Sequence, residues 1–236
     1  MRNSLPVLRL ILSLLVVVAL VSFYFLYRRY APEVTRSARV RAWLDNPATH
    51  PDWAQRTGQR CDLAPFIFPT NGFVGYLWGD SFRLGHRHQG IDIFGGQAPG
   101  VTPVVAAYPG YLTRLPDWKS SVIIRIPQDP LQPDRQVWTY YTHMADSDGN
   151  SFIDEHFPPG TNEVYVEAGA LLGYQGNFSG DPNNPVGVHL HFSIILDEGG
   201  RFRNELEFRN SLDPSPYLGI LLNATQNQGE IPRCSD

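Results

Sequence analysis

The sequence predicts an all-β domain, an antiparallel β-sandwich or partly open barrel, carried behind one N-terminal transmembrane helix. Three observations support this. The 21 glycines, 20 prolines and 12% aromatic content favour short strands joined by tight turns. Alternation of apolar and polar side chains with a period of two recurs along the second half of the chain, and hardly any stretch beyond residue 60 has the 3.6-residue period of an amphipathic helix. The 236 residues suffice for one domain with a sizeable core plus an appendage. A hydrophobic content of 42% against 18% charged residues is that of a globular chain. The net charge of -4 offers no electrostatic footprint for nucleic acid, which is excluded as a partner. No internal repeat or low-complexity tract is present.

Leu10 to Tyr27 carries no charge, is bounded by Arg9 and by Arg28-Arg29, and as a helix would span about 27 Å, enough to cross a bilayer. A cleaved signal peptide would need small residues after the apolar core, and Leu20 and Ser22 are the best on offer. Residues 1–30 therefore read as an uncleaved single-pass anchor. Arginines 28, 29, 36, 39 and 41 outnumber Arg2 and Arg9, which by the positive-inside rule would place the following domain in the cytoplasm. The cysteines oppose that: Cys61 and Cys234 stand at the two ends of the folded region, where a disulfide would tie the ends together in an oxidising compartment. An outward-facing domain in the cell envelope is expected.

Residues 31–60, broken by Pro32, Pro47 and Pro51, read as a linker holding at most a short helix over Ser37 to Leu44. The domain proper runs over 61–222, followed by a tail of residues 223–236. Phe66 to Phe68 and Gly72 to Gly79 are aromatic segments punctuated by glycine, suited to strands or extended loops. Val101 to Ala107 and Gly110 to Leu115 suggest a hairpin joined through Pro109-Gly110. Ser121 to Ile126 puts Val122, Ile124 and Ile126 on one face, and Gln136 to His143 alternates likewise. A polar excursion over 145–162 precedes short strands at Val164 to Val166 and Leu171 to Tyr174. The segment Leu212 to Leu222 closes the domain.

The stretch Gly187 to Ile194 is the most informative. Val188, Leu190, Phe192 and Ile194 share one strand face, which leaves His189, His191 and Ser193 on the other. Two imidazoles on one face need partners for four ring nitrogens, and a metal ion or a working cleft supplies them. His88 and Asp92 lie four apart in an extended segment, an even separation that keeps both on one side. Two imidazoles and one carboxylate leave a fourth tetrahedral position open, the arrangement of a catalytic rather than a structural zinc. The spacing alone does not choose between His189 and His191 as the third ligand.

In the order His88-Gln89-Gly90-Ile91-Asp92, Thr102-Pro103-Val104 to Gly110, Tyr141-Thr142-His143-Met144, the Gly173 to Gly176 turn and His189-Leu190-His191-Phe192, the chain resembles the LytM/lysostaphin-type zinc metallopeptidases over roughly residues 66–218. The resemblance implies a small antiparallel β domain with one Zn2+ held by His88, Asp92 and His191. It implies His143 and His189 as the unligated catalytic pair, and the peptide cross-links or bridges of bacterial peptidoglycan as substrate. All five expected positions are filled, which favours an active metalloendopeptidase over the alternative, a non-catalytic module that binds the wall or activates another hydrolase. The stretch Gly79 to Gly85 lacks the tyrosine that some relatives use to stabilise an oxyanion; Tyr76 is a candidate for that role, which stays unassigned.

Weaker signals have plainer readings. His86 could share the face of His88, but suits a supporting or solvated role, and His50 and His156 fall in polar loops. Asp146-x-Asp148-Gly149-Asn150 resembles the start of a calcium loop, with Ser151 and Phe157 where glycine and glutamate belong. Phe73, Tyr76, Trp78, Trp138 and Tyr140 could line a groove for glycan or peptide, but most of them suit the core better. Lys119, the only lysine, lacks the exposed hairpin tip of a cofactor-carrier domain.

Overall fold

A computed structural model describes residues 5–81, 85–227 and 229–234. Phe82, Arg83 and Leu84, within the Gly79 to Gly85 stretch, lie outside these, as do the first four residues of the expected anchor. Helix α1 spans Leu5–Asp45 without interruption. Its window Arg9–Tyr27, with mean hydropathy 2.6, is long and apolar enough to cross a membrane, and none of it is buried against the rest of the chain.

The chain continues through β1 (Ala54–Gln55), β2 (Gly72–Tyr76), β3 (Ile91–Phe94), β4 (Pro103–Val105), β5 (Gly110–Thr113) and β6 (Val122–Ile126). It then forms β7 (Val137–Thr142), β8 (Val164–Val166), β9 (Leu171–Tyr174), β10 (Leu190–Leu196), β11 (Ser211–Leu212) and the one-turn helix α2 (Ser215–Leu218). Among the described residues, one antiparallel sheet has the order β1-β2-β3-β10-β7-β6-β5-β8, with β11 also pairing β10, and a second pairs β4 with β9. The architecture is thus mostly antiparallel sheet with a small helical part.

Alternation along the strands sets the layers. Ile91, Ile93, Ile124, Leu190, Phe192 and Ile194 project from the large sheet into one apolar cluster that also takes in Val104 and Leu172 of the small sheet. The opposite face of the large sheet is also partly covered, by Ile123, Trp138, Tyr140 and Ile195 packed with Trp118 and Phe202. The aromatic residues Phe73, Trp138 and Tyr140 are accordingly buried. Full burial of such a side chain is worth roughly 1.5–3 kcal/mol.

Two local expectations are corrected. The segment 31–60 is not a bare linker, and its helix is not confined to Ser37 to Leu44: α1 passes through position 32 and ends only at Asp45. Tertiary contact offsets the cost of a helical proline here, since Val40 and Trp43 are buried against Phe73 and Phe94, and the Trp43 indole N–H donates to the Phe94 carbonyl at 2.7 Å. The supposed hairpin of residues 101–107 and 110–115 does not form, because β4 pairs β9 whereas β5 pairs β6 and β8. Within the tail 223–236, the described residues fold back: Asn223 bridges to Trp78, the Pro232 carbonyl accepts from Gln55 Nε2 at 2.9 Å, and Cys234 is disulfide-bonded to Cys61.

Candidate metal centre

Sheet register assembles the first two residues of the site. Asp92 on β3 and His191 on β10 are direct antiparallel partners, and His191 also pairs Thr142 on β7. Since Ile91, Ile93, Leu190 and Phe192 take the core face, Asp92 and His191 must emerge together on the other. His88 enters from the loop before β3. That loop comes close to β10 at Gly90, where a Cβ would meet the Phe192 carbonyl oxygen at 2.2 Å, so only glycine fits.

His88 Nε2 lies 3.1 Å from Asp92 Oδ1 and 3.0 Å from His191 Nδ1, and His191 Nδ1 lies 2.9 Å from Asp92 Oδ1. Ligands about 2.0–2.1 Å from a tetrahedral zinc stand about 3.3 Å from one another, so the three atoms fit around one ion. Among the described residues, these three form the group of His, Cys, Asp and Glu side chains able to hold a metal ion.

The other nitrogen of each ring has its own partner. His88 Nδ1–H donates to the Leu77 carbonyl at 3.0 Å, and His191 Nε2 lies 2.8 Å from Ser193 Oγ, a hydroxyl able to accept or to donate. With protons on these outer nitrogens, each ring turns a lone pair toward a metal in the shared space, as ligands require.

Two further imidazoles border the triad. His143 follows β7 with φ of 74°, a left-handed conformation that costs a histidine energy and that its surroundings must enforce. Its Nδ1–H donates to the Phe178 carbonyl at 2.7 Å. His189 donates from Nδ1 to the Gly187 carbonyl at 2.6 Å, stacks on Phe94, and places Nε2 3.6 Å from Asp92 Oδ1. The two ring centroids are 4.6 Å apart. Gly176 makes this approach possible, because it bridges His189 while a Cβ there would meet the Ala145 carbonyl oxygen at 2.0 Å.

Burial pushes His189 and His191 down to about 4 and lowers His143 as well, so all three rings are neutral at pH 7 in the metal-free protein. Burial also works against the charge of His88 and Asp92. In His88 the Asp92 carboxylate outweighs it and the pKa rises; in Asp92 the neighbouring His88 and His189, with hydrogen bonds from His191 and His88, hold the carboxyl well below the usual range.

A cleft of about 270 Å³ opens beside His143 and His191, with Tyr140, Thr142, Phe178 and Glu205 among its walls. Tyr76 is placed differently: its hydroxyl lies 3.2 Å from Ser37 Oγ and its ring sits edge-on to Phe94. His50 stacks on Trp53, and the exposed His156 pairs with Asp154. In the calcium-like loop, Asp146 turns its carboxylate onto the backbone N–H groups of Asp148 and Asn150 and the Asn150 side-chain amide. The outward partners of the rings were legible only at Ser193, which shares the face of His191; Leu77, Gly187 and Phe178 act through carbonyls that any residue supplies.

No family model matches the sequence, and no curated protein matches it. Among solved structures, the catalytic domain of the antimicrobial peptidase lysostaphin from Staphylococcus simulans is similar at 18% identity and a TM-score of 0.41, covering 70% of this chain and 99% of that one. Lysostaphin-type peptidases are among its structural neighbours. A mutant catalytic domain of the prophage-encoded M23 protein EnpA from Enterococcus faecalis is similar at 22% identity and a TM-score of 0.38, covering 64% of this chain and 97% of that one. A chain of the SpoIIIAH and SpoIIQ complex is similar at 13% identity and a TM-score of 0.40, covering 63% of this chain and 96% of that one.

Proposed function

We propose that this chain is a membrane-anchored, zinc-dependent endopeptidase of the LytM/lysostaphin type, hydrolysing peptide cross-links or bridges of bacterial peptidoglycan. The observation that carries the reading is the convergence of His88 Nε2, Asp92 Oδ1 and His191 Nδ1 within 3.1 Å of one another, with each ring's second nitrogen engaged elsewhere. The ordered motifs around these residues support the substrate class.

Zinc bound by this triad supplies Lewis-acid activation of water and of the scissile carbonyl. His143 and His189 do the proton work. Their Nδ1–H groups are committed to backbone carbonyls, so each offers Nε2 as the acceptor, and burial keeps it unprotonated and ready to receive a proton from the attacking water and pass it to the departing amine. Phe94 stacked on His189 and the strained backbone of His143 restrict both rings before substrate arrives. The cleft beside them is where an extended peptide would lie.

Residues 1–30 would anchor the protein, with the domain outside the cytoplasm, and the Cys61–Cys234 bond agrees with an oxidising compartment. Purified peptidoglycan digested with the full-length protein and analysed by mass spectrometry should yield new peptide ends. A chelator or His88→Ala should abolish them. Undiminished cleavage in both preparations would reject the mechanism, and stoichiometric zinc without cleavage would favour a binding or activating module.

A further inference from the structure

The helix that leads out of the apolar segment reaches the metal centre through a buried ion pair. Arg36 Nη1 lies 2.9 Å from Asp80 Oδ1, with side-chain exposures of 4% and 1%. The same guanidinium donates from Nη2 to the carbonyls of Asn227 at 3.2 Å and Ala224 at 3.5 Å. Asp80 uses its second oxygen, Oδ2, to accept the Leu77 N–H at 2.6 Å, closing the turn 77–80. That turn holds His88. Its Leu77 carbonyl receives the His88 Nδ1–H, its Asp80 carbonyl receives the His88 backbone N–H at 2.7 Å, and its Gly79 N–H donates to the His88 carbonyl at 2.8 Å.

A helix that served only as a tether could dock through Val40 and Trp43 alone. Burying a charged pair costs desolvation free energy that apolar side chains of the same size avoid. What the pair supplies is direction, since it locks the turn whose carbonyl fixes the tautomer and aim of a metal ligand. We propose that Arg36, outside the β domain, is a positioning residue for His88, acting through Asp80 and the turn 77–80, so that the Arg36–Asp80 pair tunes metal affinity. This rests on the reading that His88, Asp92 and His191 hold a metal.

The test uses the detergent-solubilised full-length protein, titrated with Zn2+ and separately with Co2+, whose visible absorption reports ligand geometry. Arg36→Met should weaken metal binding about 10–100-fold and alter the Co2+ spectrum, with Arg36→Lys restoring part of both. Val40→Ala, which loosens the same helix without touching the turn, should lower Tm and leave affinity and spectrum unchanged. The proposal is overturned if Arg36→Met lowers Tm yet binds both metals like the parent with the same spectrum. Should Arg36→Met not fold, Asp80→Asn decides by the same two readouts, unchanged values again overturning it. A parent protein that binds neither metal rejects the functional reading as well, whereas equal binding by parent and variants rejects the role of Arg36 alone.

Discussion

Asp92 and His191 face each other across the β3–β10 ladder as paired residues, with carboxylate oxygen and imidazole nitrogen 2.9 Å apart. Two ligands of the proposed centre are thus placed by strand register, which a folded sheet cannot slip without turning its whole apolar set outward. The third arrives on a loop and depends on that loop's own hydrogen bonds.

Ligands and proton carriers should separate experimentally. Asp92→Asn removes the only carboxylate of the triad and is expected to lose stoichiometric zinc. His143→Ala should retain zinc while kcat falls about 10²–10⁴-fold, the usual loss for a general acid–base group. Metal analysis beside peptidoglycan digestion checks both, and loss of zinc from His143→Ala would assign that residue a different role.

The metal-free protein should lose stability as it is acidified. His189 and His191 are held at about 4 in the folded state against about 6.5 when unfolded, so between these values the unfolded chain binds more protons and is favoured as pH falls. Asp92, shifted down, adds stability that is lost at still lower pH, while the raised His88 opposes the trend by stabilising the fold below about 6.5. The net expectation is a falling Tm from pH 7 to pH 5 in chelated protein, measured by scanning calorimetry. A flat or rising Tm would contradict it.

Away from the site, Asp129 is fully buried, accepting from the Tyr217 hydroxyl at 2.7 Å and from Arg135 Nε at 2.9 Å. Asp129→Ala leaves a buried hydroxyl and a partly buried guanidinium without their acceptor, and should cost about 3–5 kcal/mol in urea unfolding. Zinc content should be unaffected in the variant at temperatures where it remains folded.

The sheet and the site were legible in the sequence to different depths. Strands β6, β7 and β10 announced themselves by alternation because each has one face in the core and chemically distinct residues on the other. The triad emerged once motif order was combined with residue type, but spacing alone did not distinguish His191 from His189, since that choice rests on which nitrogen meets Asp92. Pairing of β4 with β9 was hidden, as local turn residues at Pro109-Gly110 say nothing about partners some 70 residues away. The docking of α1 was hidden as well: Arg36, Val40 and Trp43 look like ordinary residues of a polar segment until β2 and the tail supply the surface they meet.

The bond between Cys61 and Cys234 spans 173 residues of sequence and encloses every strand of the sheet that bears the triad except β1. In effect the domain is a closed covalent ring with α1 and β1 attached ahead of it. A protease cutting once at an exposed turn, such as Glu198 to Arg201, would open the ring without freeing either piece. His191 would stay on the same molecule as His88, and the two fragments would part on a denaturing gel only after a reductant was added.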